Sequence, residues 1–386
     1  HAEKHGLLNN DQYGSRQKKT ATEVLVNNIL INDIMRQNGK EGALCSNDAK
    51  GCYDRISHPV FSMAMRRVGV PTQPLKSLLT TIQGMNHRIK TIAGASEASY
   101  GGTNEQQPPQ GLIQGMGASP TGWLSISSAL MDRMRTLGYG FHYKTIEEEE
   151  TEIVCLAYVD DANIIHRYEE NEPSRYNQLE GFQQAVNKWE TLIRETGGAL
   201  EPEKSHWLPI RFKWKTDRWV YNLKTNEGEQ IMMKAVDSEE YQTLRKINAR
   251  DAQKFLGMQI RHDSNQQENV EYLKAKSIAW AERVRTGRIR KSDAELAYRT
   301  TLIPALEYPL AATTMTENQC HMVAKNALCT GLSAMGLPRT ISRTVVHGPT
   351  SSMGLGIRKL MYAQTFKKLK MIQDHIIQQT PTGKLL

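Results

Sequence analysis

Cys155-Leu156-Ala157-Tyr158-Val159-Asp160-Asp161-Ala162-Asn163-Ile164-Ile165 is the stretch that decides how this chain folds. Apolar residues flank two adjacent acids on both sides. The spacing predicts two core strands, Thr151 to Ala157 and Ala162 to Arg167, joined by a hairpin whose tip carries Asp160 and Asp161. Asp is common in turns, but an ordinary acidic turn does not require apolar strands on both sides. Two neighbouring carboxylates repel, and a divalent ion relieves that cost. Ser46-Asn47-Asp48-Ala49-Lys50 repeats the theme, because Gly42 to Asp48 reads as a short buried strand that ends on an acid. Carboxylates converging from separate strands point to a site that holds Mg²⁺ for phosphoryl chemistry.

Outward from these strands the pattern alternates. Thr20 to Met35 carries Val24, Leu25, Ile29, Leu30 and Ile34 at helical spacing. Pro59 to Val68 and Gln73 to Ile82 read as helices. His87 to Ile92 and Ala98 to Gly102, around Gly94, suggest a hairpin, and Pro108-Pro109 a loop. A helix follows Ser119-Pro120 through Trp123, Ile126 and Leu130, with the proline in its first turn. The four glutamates Glu147 to Glu150 read as a solvated turn. Leu179 to Glu195 is an amphipathic helix stopped by Gly197-Gly198. Lys213 to Tyr221 alternates like an exposed strand, and Phe255 to Ile260 reads as another strand. Beyond it the chain turns helical, with capping boxes expected at Ser292 to Glu295 and at Thr316 to Gln319. Strands separated by helices around a central antiparallel hairpin imply an α+β fold with helices on one face of the sheet.

Composition narrows the class. The chain has 386 residues, enough for two or three subdomains. It is 39% hydrophobic, and no apolar run approaches the roughly 20 residues of a membrane helix. The polar start His-Ala-Glu-Lys-His-Gly is no signal peptide and reads as the interior of a longer polypeptide. Five irregularly spaced cysteines without a CxxC pair argue against structural zinc. Cys45, Cys52 and Cys155 read as core thiols, and the set points to a reducing intracellular compartment, nucleus or cytoplasm. Lys274 to Leu386 holds 17 Lys and Arg against 6 Asp and Glu, while the whole chain carries +8. The basic third suits a polyanionic partner; a solvated helical surface would look the same on charge alone.

Further segments complete a set. Tyr53 stands five residues after Asp48, where an aromatic ring would press on the 2′ face of a nucleotide sugar. Asp54 beside Arg55 reads as a structural ion pair or helix cap. Gln114-Gly115-Met116-Gly117-Ala118-Ser119-Pro120 is a small-residue loop before a helix, open to close backbone approach. Lys204 in Glu201-Pro202-Glu203-Lys204-Ser205 is a candidate general acid, and Phe255-Leu256-Gly257 is a strand-end turn.

In this order and spacing the chain resembles the reverse transcriptases, in their retroelement, non-LTR-like branch. The Asp48, Gln114, Tyr158–Asp161, Lys204 and Phe255 segments look like motifs A to E of that family. Gln12-Tyr13-Gly14-Ser15-Arg16 is similar to a segment just upstream of motif A, with Ser15 where the family has Phe. Glu307-Tyr308-Pro309 and His347-Gly348-Pro349, followed by Gly354-Leu355-Gly356, resemble segments downstream of the thumb.

The resemblance implies a right-hand polymerase fold with a ferredoxin-like palm sheet. Partial fingers would occupy 1–42. The palm would occupy 43–260, with a fingers insert at about 70–107 and a hairpin insertion at about 211–236. A basic helical thumb or connection would follow at 261–386. It implies RNA-directed DNA synthesis from dNTPs on an RNA or DNA template with a DNA primer, and two Mg²⁺ ions, or Mn²⁺. Asp48, Asp160 and Asp161 would be the catalytic metal ligands and Lys204 the proton donor to the leaving group. Tyr53, Gln114, Gly115 and Ala49 would bind the nucleotide. The basic fingers residue that clamps the triphosphate would lie before His1, so this stretch alone is expected to be inactive. No endonuclease or RNase H segment is evident. The alternatives are an RNA-dependent RNA polymerase and a non-catalytic nucleic-acid-binding remnant. For the Trp-rich insertion two readings stand: Trp214 or Trp219 stacks on nucleic acid, or both pack on the palm.

Overall fold

The computed structural model describes residues 1–102, 110–145, 150–168, 175–223, 228–287 and 289–386. Two compact units are present, His1–Val24 with Met35–Asn248, and Leu25–Ile34 with Ala249–Leu386.

The first unit is built on a five-stranded sheet. Its spatial order is Arg245–Lys246, His206–Ile210, Gly42–Asn47, Asp161–Arg167, Cys155–Tyr158. All neighbours are antiparallel except the first pair, which is parallel. Gly42–Asn47 is central, and an interior strand must satisfy both ladders while burying both faces. Its run Gly-Ala-Leu-Cys supplies small and apolar residues that do so. Register sets a cross-strand row Trp207, Cys45, Ile164, Cys155. This row is buried against Ile126 and Met131 of the helix Ala118–Thr136 and against Phe182 and Trp189 of the helix Arg175–Glu195. Leu44, Leu208 and Ile165, on the opposite face, are buried as well. Full burial of side chains this large contributes about 1.5–3 kcal/mol each. Cys45 and Cys155 behave as the small hydrophobes expected of them, and burial pushes the Cys45 thiol up to about 12.

Most helices fall where the apolar spacing places them: Ala21–Asn38, His58–Arg67, Thr72–Gln83, Ala118–Thr136 and Arg175–Glu195. The ribbon between residues 86 and 101 is a hairpin, as expected. Pro108-Pro109 and Glu147 to Glu149 lie outside the described residues.

Four local expectations are corrected. Thr151 to Ala157 is two strands rather than one. Glu150–Ile153, which takes Glu150 out of the expected turn, pairs with Phe141–Lys144, and only Cys155–Tyr158 joins the main sheet. The break has a cause in the buried Asp11 carboxylate. It accepts hydrogen bonds from the Val154 and Cys155 backbone amides at 2.8 and 3.3 Å and from Arg135 at 3.1 Å. Lys213 to Tyr221 is not one strand: Phe212–Lys215 pairs with Arg218–Tyr221, a hairpin inside the stretch 211–236. Phe255 to Ile260 likewise turns back, so that Gln253–Phe255 pairs with Met258–Ile260. Ser292 does not cap a helix: Lys291–Ala297 begins one residue earlier, with Arg290 at the N-cap and no side-chain cap.

Burial pushes the Asp11 carboxyl up to about 6, against the opposing pull of Arg135 and the two amides. A raised folded-state value gives stability that is complete below the unfolded carboxylate range and is lost as pH rises through the folded value. A rise of this size corresponds to about 3 kcal/mol. Urea unfolding should therefore show stability falling between about pH 4 and 6, and Asp11→Asn should remove that part of the slope.

The second unit is helical beyond its Gln253–Ile260 hairpin. The helices Gln267–Thr286, Glu317–Ala334 and Leu360–Ile377 enclose Val270, Leu273, Leu306, Val323, Leu332 and Leu360. The capping box at Thr316 and Gln319 forms as the sequence predicts. Among the described residues no helix is long and apolar enough to cross a membrane.

Candidate active site

The three acids meet at one end of the sheet. Asn47 pairs with Ala162, so Asp48 leaves the central strand beside Asp161, the first residue of the next strand. Asn47 reinforces the junction by donating its side-chain amide to the Ala162 carbonyl at 3.3 Å. On the other side Tyr158 pairs with Asp161, leaving Val159-Asp160 as a two-residue turn. Partial burial at the strand end, then the charges of Asp160 and Asp48, raise the Asp161 carboxyl above its ordinary range. The charges of Asp160 and Asp48 are thus near enough to resist the ionisation of Asp161.

The turn is held in an unfavourable shape. Val159 has φ +62°, a region that a β-branched residue occupies only under constraint, at a cost of about 1–3 kcal/mol. Gln12 supplies the constraint. It is fully buried, and its amide makes four hydrogen bonds. The Oε1 accepts from the Val159 and Gly14 amides, both at 2.9 Å. The Nε2 donates to the Val159 carbonyl at 3.0 Å and to Ser127 Oγ at 3.2 Å. Trp123 Nε1 donates to the same carbonyl at 2.6 Å. Gly14 lets the segments touch, since a Cβ there would lie 2.3 Å from the Val159 nitrogen. Sequence reasoning found the Gln12–Arg16 segment but gave Gln12 no role. The available signal was a Gln two residues before a Gly, which suggests a polar side chain turned inward beside a close backbone approach.

Lys204 reaches the acids through backbone pairing. Ala49 bridges antiparallel to Leu200, the Lys50 amide donates to the Ala199 carbonyl, and the Glu201 amide donates to the Asp48 carbonyl. The chain then turns back, and Lys204 Nζ lies 3.5 Å from Asp48 Oδ2. With Lys204 about two-thirds exposed, the pair contributes at most about 1 kcal/mol to stability. Ala49 is half-buried and lines a small cavity with Trp123, Val159 and Asp160.

Tyr53 is half-buried; burial, then Cys52 and Asp160, push its phenol up to about 12. Its carbonyl accepts the Leu112 amide at 2.7 Å, tying the small-residue loop to this segment. Gly111 permits that contact: its φ is +87°, and a Cβ there would lie 2.1 Å from the Asp54 carbonyl oxygen. Gln114 and Gly115 are exposed on the loop, with open space around Gly115. Asp54 is not the partner of Arg55, which pairs with Asp237 instead.

Among the described residues no three His, Cys, Asp or Glu side chains already close on one point as metal ligands. The chemistry of the donors nonetheless suits a hard divalent cation, because three mutually repelling carboxylates are the oxygen set that Mg²⁺ or Mn²⁺ takes. The larger cavity, about 180 Å³, lies in the second unit beside Tyr298, His321, Arg343 and His347, and none of the candidate residues lines it.

The sheet end thus gathers three carboxylates, with a lysine on one of them. The sequence matches the reverse transcriptase (RNA-dependent DNA polymerase) family over residues 2–273, and the chain belongs to that family. No curated protein matches it. Solved structures similar to it include telomerase from Candida albicans in complex with a TWJ fragment of telomeric RNA. That likeness has 10% identity and a TM-score of 0.38, and covers 92% of this chain and 51% of that one. Apo telomerase from Candida tropicalis is similar at 12% identity and a TM-score of 0.40, over 84% of this chain and 46% of that one. The chain therefore spans about half the length of these solved chains.

Proposed function

We propose that this chain carries the polymerase centre of a retroelement reverse transcriptase, which copies RNA, or DNA, into DNA. The observation that carries the reading is the convergence of Asp48, Asp160 and Asp161 at one sheet end, with Lys204 3.5 Å from Asp48. Asp48, Asp160 and Asp161 would hold two Mg²⁺ ions, or Mn²⁺. When bound, the ions supply Lewis-acid stabilisation of the transferring phosphoryl group and lower the pKa of the primer hydroxyl.

The primer 3′-oxygen forms a bond to the α-phosphorus of a dNTP, and the α–β phosphoanhydride breaks. The hydroxyl proton passes to solvent, and pyrophosphate leaves with its electron pair. Lys204 gives a proton to that leaving oxygen and regains one from water. Its long stem lets the ammonium exchange Asp48 for the pyrophosphate. Gln114 and Gly115, exposed on the loop anchored at Leu112, meet the incoming nucleotide, and Ala49 backs the floor beneath it. Tyr53, held by the same Leu112 contact, would exclude a ribose 2′-hydroxyl. The basic second unit takes the part of the thumb and grips the template–primer backbone.

The test is primer extension on an RNA template with dNTPs and Mg²⁺, by the 386-residue chain and by any longer polypeptide that contains it. Tyr53→Ala should raise rNTP use relative to dNTP by about 10- to 200-fold, the range that a single steric contact discriminates. Wild-type extension with rNTPs as fast as with dNTPs would instead identify an RNA polymerase. Salt-sensitive RNA binding indifferent to Mg²⁺ and dNTPs, with no extension by either polypeptide, would identify a binding remnant.

A further inference from the structure

We infer that the Phe212–Tyr221 hairpin is a docking surface for single-stranded nucleic acid, with one unpaired base stacked on Trp214. The hairpin forms its own two-stranded sheet, separate from the main one. Its register pairs Phe212 with Tyr221, Trp214 with Trp219, Lys213 with Val220 and Lys215 with Arg218. The turn residues Thr216 and Asp217 both have positive φ, +49° and +58°, as a tight two-residue connection demands.

The two tryptophans have different surroundings. Trp219 packs on the C-terminal end of the Ala21–Asn38 helix, so closely that a Cβ on Gly39 would lie 2.5 Å from its ring. Buried Phe212, stacked at a tilt on Tyr221 with centroids 4.9 Å apart, fixes the base of the hairpin. Trp214 touches Trp219 edge-on, centroids 5.2 Å apart at 77°, yet remains 59% exposed. The anchoring is therefore done by other rings, and the indole of Trp214 is left open.

Charge selects the occupant. Lys213, Lys215 and Arg218 lie on the opposite face, all exposed, with Asp217 as the one acid between them. Among the described residues none of the three cations has an ion-pair partner. A strand that wraps over the Thr216-Asp217 tip from one face to the other would set a base on Trp214 and the phosphates further along against these cations. An apolar protein partner would find one lone ring here rather than a contiguous patch, whereas stacking platforms beside a basic track are how single strands are held without sequence preference. The inference rests on the polymerase reading for which strand is held, and on the hairpin alone for its chemistry.

The experiment is titration of a fluorescently labelled, unstructured 20-nucleotide RNA into the full chain at several salt concentrations. Trp214→Ala should weaken binding by about 5- to 150-fold, and Trp214→Phe should retain most of it. Changing Lys213, Lys215 and Arg218 together to Ala should lower the slope of log affinity against log salt by about two. The titration is run without dNTPs or divalent ions, so absence of primer extension by the wild type leaves its outcome unchanged, which separates failure of the hairpin from failure of the catalytic reading. Thermal melting of each variant identifies any loss of fold, and Trp214→Phe is the deciding variant where Trp214→Ala melts early. Wild-type affinity and salt slope in folded Trp214→Ala and in the triple variant overturn the inference, including the outcome in which Trp214 serves a protein partner.

Discussion

Asp160→Asn should reduce primer extension by three orders of magnitude or more while leaving the fold and RNA affinity intact. On the proposed metal role, loss of one anionic ligand removes several kcal/mol of stabilisation of the transferring phosphoryl group, and each 1.4 kcal/mol is tenfold in rate. The same change should not weaken the protein. Burial is the main cause of the raised Asp161 carboxyl and Tyr53 phenol, and the Asp160 charge adds to both, so that charge is a local burden when no cation neutralises it. Thermal melting without divalent ions should give an unchanged or slightly higher Tm for the variant, and added Mg²⁺ or Mn²⁺ should shift its Tm less than that of the wild type. Asp48→Asn should behave alike in extension, but it also frees Lys204. Wild-type extension by either variant would remove the metal-ligand role.

The candidate site was legible because its chemistry is written in short local strings. Acids between apolar flanks need a reason, and strand ends supply it. The tip bearing Asp160 and Asp161 and the strand delivering Asp48 could be read before any contact was known. Part of what the sequence hid depends on partners far along the chain. Nothing near Val154 announces that Asp11, 143 residues away, takes its amide and divides the strand. The turn at Thr216-Asp217 lacks the Asn-Gly or Gly-Gly signature of its type, and an alternating pattern through it mimics one strand. At Ser292 the capping string is present, but the helix starts before it, so the hydroxyl is already inside the first turn. Trp214 and Trp219 were indistinguishable as letters, and only the seating of one ring on Gly39 separates them.

The second large effect should come from a residue that carries no functional group. Gly14→Ala places a methyl 2.3 Å from the Val159 nitrogen, 2.5 Å from its Cγ2 and 2.9 Å from its Cα. Two of these atoms are backbone, so no rotamer change relieves the clash, and either the Gln12 segment or the turn must move. Overpacking of this kind costs about 1–3 kcal/mol. Withdrawal also breaks the Gln12 bonds to both polar groups of Val159, and each buried group left unmade costs about 1–3 kcal/mol more. Val159 stays at φ +62° only while those bonds hold. Once released, it relaxes toward the extended region and carries the neighbouring Asp160 with it. A displacement near 1 Å at a catalytic group costs about 100-fold in rate. Gly14→Ala should therefore lower kcat at least that far and reduce Tm, with little change in RNA affinity. Gln12→Ala should show the same pattern without the steric part, and so a smaller loss of stability. If Gly14→Ala extends primers at the wild-type rate, the turn does not depend on the clamp, and Gln12 is a core amide with no bearing on the acids.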